Sequence, residues 1–126
     1  MPIPVHTYDV DYMQIVSNTV YPKWFEDLRM AMLDKHFPLN EMMKEHNTPI
    51  LAETHIKYMH PVTLESKPVG RVWLSQLHAS RWEVQLEIVE GDRVYCTGSQ
   101  TGYYFNLDSR RPVRFPESLV EYYNSL

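Results

Sequence analysis

The chain has 126 residues and a formal net charge of −4, with 16 Asp and Glu against 12 Lys and Arg. That length suits one domain over residues 1–126, and the acidic balance excludes general nucleic-acid binding, which needs a broad basic surface to displace counterions. Its 44% hydrophobic residues include no run near the length of a membrane span, its lone Cys96 can form no internal disulfide, and Met1-Pro2-Ile3-Pro4 lacks the pattern of a secretory signal. A soluble protein of the reducing cytoplasm is expected, with no membrane partner.

In chain order, Val5 to Asp9 reads as a short strand. Pro22 then stands where a helix accepts proline best, in its first turn. The helix should run to about Lys35, with Tyr21, Trp24, Phe25, Leu28, Ala31 and Met32 recurring at three- and four-residue steps. His36-Phe37-Pro38-Leu39 breaks this pattern, and Asn40 to His46 suits a second short helix before Asn47-Thr48-Pro49 opens a new unit. From Ile50 to Tyr58 the alternation is that of a strand with one mainly buried face. Val69 to His78 carries apolar residues on both phases and predicts a strand covered on both sides. Trp82, Val84, Leu86 and Ile88 alternate with charged or polar neighbours, and Gly91-Asp92 marks a hairpin into a strand starting near Val94. That strand should continue, with an irregularity at Gly98 or Gly102, through Leu107. A terminal helix opens at Pro116-Glu117.

This order implies an α+β fold in which one long central helix is wrapped by a curved antiparallel sheet. One helix covers only one face of such a sheet, so the other face or an edge needs a partner, and at least a dimer is expected.

The chemistry gathers where the first strand meets the helix. Asp9 and Asp11 precede a helix start, where unpaired N–H groups and the peptide dipoles favour negative charge and suit carbonyl activation. Taken alone, both aspartates suit capping, Asn18 suits an N-cap, and Glu26 and Arg29, three apart, suit a surface ion pair. Tyr21 and Trp24 suit the core, although aromatic rings at the head of the helix can also line an apolar pocket. The six histidines lack metal-site spacing: His55 and His60 are an odd number apart on a strand, and no His-x-x-x-His pair lies on the helix. Cys96 has no histidine beside it to suggest a nucleophilic pair.

Asp9, Asp11, Val16, Asn18, Tyr21, Phe25, Glu26 and Arg29 together form a pattern that resembles the opening motif of hot-dog-fold acyl thioesterases of the 4-hydroxybenzoyl-CoA thioesterase type. Tyr58-Met59-His60-Pro61 resembles that family's turn after its second strand, and Arg111-Pro112-Val113 with Pro116-Glu117 resembles its ending. The chain departs from the pattern at Gln14-Ile15, where family members commonly carry Gly-His or Gly-Ile and the glycine lets backbone and thioester approach closely.

The resemblance implies a hot-dog fold and thioester hydrolysis without a cofactor. Asp11 would be the catalytic carboxylate, either attacking the carbonyl or serving as base for water, and the backbone N–H of Asn18 would support the oxyanion. Gln14, Ile15, Val16 and Tyr21 would border the substrate, at a site between subunits of a homodimer or homotetramer. Acyl-CoA is the expected substrate, with acyl carrier protein as an alternative carrier and a noncatalytic acyl-binding protein as the reading from another class. Coenzyme A is anionic, so Lys57, Arg71 and Arg81 are candidate phosphate contacts, with Lys67 and the Arg110, Arg111, Arg114 cluster as further cations.

Overall fold

A computed structural model describes residues 1–125. Helix α1 spans Tyr21–His36, α2 Leu39–Met43 and α3 Glu117–Asn124; the strands are β1 Asn47–Tyr58, β2 Val69–His78, β3 Arg81–Glu90, β4 Arg93–Asn106 and β5 Arg111–Pro112. The antiparallel sheet has the order β1-β4-β3-β2, with β5 added to β4. It curves around α1 in the hot-dog arrangement. No helix among the described residues is long and apolar enough to cross a membrane.

The alternation in β3 works as its residues dictate: Trp82, Val84, Leu86 and Ile88 are buried beneath the helices, whereas Glu83, Gln85 and Glu87 lie on the outer face. Tyr21, Trp24, Phe25 and Leu28 form the buried stripe of α1. Two glycines bring this stripe onto the sheet. A Cβ at Gly98 would lie 2.4 Å from the Phe25 ring, and one at Gly70 would lie 2.6 Å from Leu28. Further along, Ala31 is exposed and Met32 and Leu33 only half-buried, so the stripe fades in the second half of the helix.

Several local expectations are corrected. Val5 to Asp9 is not a strand. The N-terminus pairs with the sheet through a single bridge, Pro2 to Val69, while Thr7–Asp9 winds into a 3-10 turn. Pro2 and Pro4 have no N–H with which to extend a ladder, and the His6 N–H is taken by the Asp9 carboxylate. The second helix stops at Met43, short of His46, which adopts a positive φ of 58°.

β1 is an edge strand, and every residue from Ile50 to His55 is exposed, so its expected buried face is missing from the protomer. Nor is β2 covered on both sides, since Trp73 is 47% exposed. Its two apolar phases arise from a bulge: the register shifts between Leu74 and Gln76, which turns Leu77 inward opposite Trp82. The irregularity expected at Gly98 or Gly102 falls on the neighbouring strand, because the register with β1 shifts between Leu51 and Glu53, opposite Gly102 and Thr101. The extra residue in β4 itself is Tyr95, where the register with β3 shifts between Ile88 and Val89.

Candidate active site

Residues 9–17 fold back on themselves ahead of α1. Val10 and Val16 form an antiparallel bridge, the Ser17 N–H donates to the Asp9 carbonyl at 2.9 Å, and the Asp11 N–H donates to the Ile15 carbonyl at 3.0 Å. The Val16 N–H reaches the Val62 carbonyl at 2.8 Å, tying this small hairpin to the segment after β1. Asp9 is buried and accepts the His6 N–H at 2.9 Å, so it closes the preceding turn. Asp11 differs from it. One carboxylate oxygen accepts the Met13 N–H at 2.8 Å in a local turn, and the side chain remains in solvent at the tip.

That tip is closed by Gln14 with φ at +63°, the left-handed conformation a glycine adopts freely. The departure in the sequence therefore leaves the glycine-type backbone in place. Tyr12 and Met13 beside it are 92% and 62% exposed, large side chains in water around a carboxylate.

The chain then makes a turn from Ser17 to Val20, with the Val20 N–H on the Ser17 carbonyl at 3.0 Å, before α1 begins. Val20 is the N-cap, and no side chain caps the helix, so Asn18 does not serve as the cap. Its side chain is exposed, and its N–H donates to no acceptor among the described residues. Its carbonyl accepts the Tyr58 hydroxyl at 3.3 Å, which pins the turn to the end of β1. An open N–H at the head of a sixteen-residue helix, in the positive end of its dipole, suits a developing negative charge.

The other candidates separate. Gln14 and the half-buried Ile15 lie at the open end of the hairpin, whereas Val16 further along it and Tyr21 at the start of α1 are both 2% exposed. Burial pushes the Tyr21 phenol up to about 12, with its ring edge-on to Trp24 and Tyr58. Lys57 and Arg71 share one row of the outer sheet face, Lys57-Thr97-Glu87-Arg71, in which Arg71 is already paired with Glu87 at 3.2 Å. Arg81 lies over the Tyr103 ring. Tyr103 is seven residues along β4 from Cys96, the register partner of Tyr58, a span of about 23 Å. The three cations do not form one cluster.

Two residues have roles that the sequence did not reveal. Tyr58 contacts Asn18, and its only advance signal was an aromatic side chain just before the His60-Pro61 turn. Arg29 does not pair with Glu26. It turns inward to donate to the Gln100 side chain, with its guanidinium 5.6 Å from the centre of the Trp82 ring. Gln100 is buried on β4 and in turn donates to Thr54 on β1, so the interaction links three elements distant in sequence.

The fold is widely shared. At 19% identity, the chain is similar in structure to BH1999 gentisyl-coenzyme A thioesterase, with a TM-score of 0.86 over 96% of this chain and 98% of that one. A DHNA-CoA thioesterase from Staphylococcus aureus gives 0.87 at 20% identity, covering 99% and 85%. The hypothetical protein SAV2348 from Staphylococcus aureus, solved in complex with CoA, gives 0.92 at 19% identity, covering 99% and 80%. No curated protein sequence is detectably similar to the chain. Residues 5–122 match the family model of the thioesterase-like superfamily, a span that takes in the Asp11 hairpin, the central helix and the whole sheet, and the chain belongs to that superfamily.

Proposed function

We propose that the protein is an acyl-CoA thioesterase, of the 4-hydroxybenzoyl-CoA thioesterase type in its opening motif, with Asp11 as its catalytic carboxylate. The observation that carries this reading is the exposed Asp11 side chain on a hairpin bonded to the segment that opens α1, where the Asn18 N–H is open. Asp11 either attacks the thioester carbon, forming an anhydride that water then cleaves, or takes a proton from the attacking water. In both cases the carbonyl oxygen gains charge, and the Asn18 N–H with the helix dipole stabilises it. The thiol leaves as CoA, and the acyl group leaves as the free acid. The CoA bound to SAV2348 supports a CoA thioester as substrate, and the outer-face cations Lys57 and Arg71 suit its phosphates.

The working unit is a homodimer built through β1. Its exposed edge from Ile50 to His55 offers unpaired backbone groups, and the apolar side chains of Tyr12 and Met13 beside Asp11 call for a cover. The noncatalytic reading is disfavoured because Gln14 keeps the backbone conformation that a glycine would take.

The test is thiol release from a panel of short, long and aromatic acyl-CoA thioesters, with acyl carrier protein thioesters as a separate arm, for the native protein and Asp11→Asn. The variant should lose roughly a hundredfold or more in turnover while remaining folded. Full turnover by Asp11→Asn would remove Asp11 from the mechanism, and a native protein inert towards every thioester would overturn the hydrolase reading. A monomer in sedimentation at working concentration would remove the dimer.

A further inference from the structure

Where α1 parts from the sheet, its second half, β2, β3 and α3 enclose a cavity of about 340 Å³, within the size range of small-molecule sites. Its walls are mainly apolar, including Met32, Leu33, Leu74, Val84, Phe115 and Leu119. The charged or titratable side chains that line it are Arg29, Lys35, His36 and Tyr122, with no carboxylate among them. In a chain of net charge −4, a lining that holds Arg29 and Lys35 and no acid runs against composition.

Arg29 is the informative member. It has five N–H donors; one is bonded to Gln100, and no described carboxylate forms an ion pair with it. None of its nitrogens is both sealed from solvent and without a partner, so its remaining donors are open to an incoming acceptor. Burial pulls its pKa below the usual arginine range, and the Glu26 carboxylate only partly opposes this.

The cavity is separate from the hairpin that carries Asp11. Asn18 lies in the turn before α1, and Arg29 lies eight residues on from Tyr21, the first residue of the helix, a rise of about 12 Å. Between them Tyr21, Phe25 and Leu28 are at most 2% exposed, and Phe25 and Leu28 pack closely on Gly98 and Gly70.

We propose that this cavity binds a fatty carboxylate, with its hydrocarbon tail among the apolar walls and its carboxylate on the open donors of Arg29, assisted by Lys35 and His36. Tail and head are recognised by different physics, apolar burial for one and charge-assisted hydrogen bonds for the other. The site does not depend on the Asp11 chemistry and stands or falls apart from it.

Trp82 lines the cavity and reports occupancy through its emission. The experiment titrates octanoate, dodecanoate and dodecanol, each below its micelle concentration, into the native protein, Asp11→Asn, Arg29→Gln and Leu74→Trp, with calorimetry alongside fluorescence. Dodecanoate should bind more tightly than dodecanol to the native protein, and equally well to Asp11→Asn. Arg29→Gln should weaken dodecanoate roughly tenfold to a hundredfold, the range expected on losing hydrogen bonds to a charged group, and leave dodecanol unchanged. Leu74→Trp should abolish binding of both by filling the cavity. Equal affinity of acid and alcohol for the native protein overturns the proposal without recourse to any variant. So does loss of binding in Asp11→Asn, which would put the ligand at the hairpin, or retention of binding in a folded Leu74→Trp protein.

Discussion

Gln14→Gly tests whether the hairpin that presents Asp11 is held by backbone conformation or by its side chains. Gln14 sits at φ +63°, and its exposed side chain makes no hydrogen bond among the described residues. For an L-residue the left-handed conformation costs roughly 1–2 kcal/mol, a cost glycine does not carry. Glycine gives back roughly 0.4–1 kcal/mol through the greater freedom of its unfolded chain. The balance is a gain of about 0.5–1 kcal/mol, or about 2–4 °C in Tm for a chain of this size. Urea unfolding should show a higher midpoint at unchanged m-value, and thioester hydrolysis should persist because the turn keeps its shape. Gln14→Val should move the other way, since a β-branched side chain tolerates positive φ poorly. A glycine variant less stable than the native protein, or a valine variant equal to it, would refute the reasoning and show that Gln14 holds the turn through its side chain.

Gly102→Ala should destabilise by about 1–3 kcal/mol in urea, because its Cβ would lie 1.9 Å from the Ile50 carbonyl and 2.4 Å from the Trp82 ring; unchanged stability would mean that β1 shifts freely. Tyr58→Phe removes the hydroxyl that holds the Asn18 carbonyl and should cost at most about 0.5–1.5 kcal/mol of stability. Its effect on hydrolysis should fall on kcat more than on KM, and a pure KM effect would deny Tyr58 a positioning role. Burial pushes the Cys96 thiol and the Tyr21 phenol each up to about 12, so the folded protein keeps both protons at pH values where the unfolded chain releases them, from near 9 for the thiol. The stability this confers is complete below that pH and is lost as pH rises towards 12. Urea midpoints should therefore fall steadily from pH 9 upward, and a flat profile would refute the shifts.

The long helix and the β3–β4 hairpin were legible because their signals are local. Tyr21, Trp24, Phe25 and Leu28 recur at the helical period, Trp82 to Ile88 at the strand period, and Gly91-Asp92 supplies the turn between strands. The Asp11 hairpin was legible as a resemblance in its motif, but its geometry was not. The prolines at positions 2 and 4 cannot extend a ladder, a 3-10 turn at Thr7–Asp9 replaces the expected strand, and the hairpin closes through the isolated bridge from Val10 to Val16.

What the sequence by itself determined is the three helices and the four long strands, their order and the motif that resembles that of its superfamily, since periodicity, turn residues and motif spacing are read from neighbours along the chain. Tertiary structure alone decided which faces those elements bury. The bulge in β2 moves Leu77 inward and leaves Trp73 outside, and the edge position of β1 leaves its alternating residues in solvent. It also decided the fate of Arg29. A pattern of i to i+3 charges favours Glu26, yet the curvature of the sheet brings Gln100 and Trp82 within reach, seventy-one and fifty-three positions away. The cavity beside Arg29 has no sequence signature for the same reason: its walls come from three helices and three strands that meet only when the sheet closes around α1.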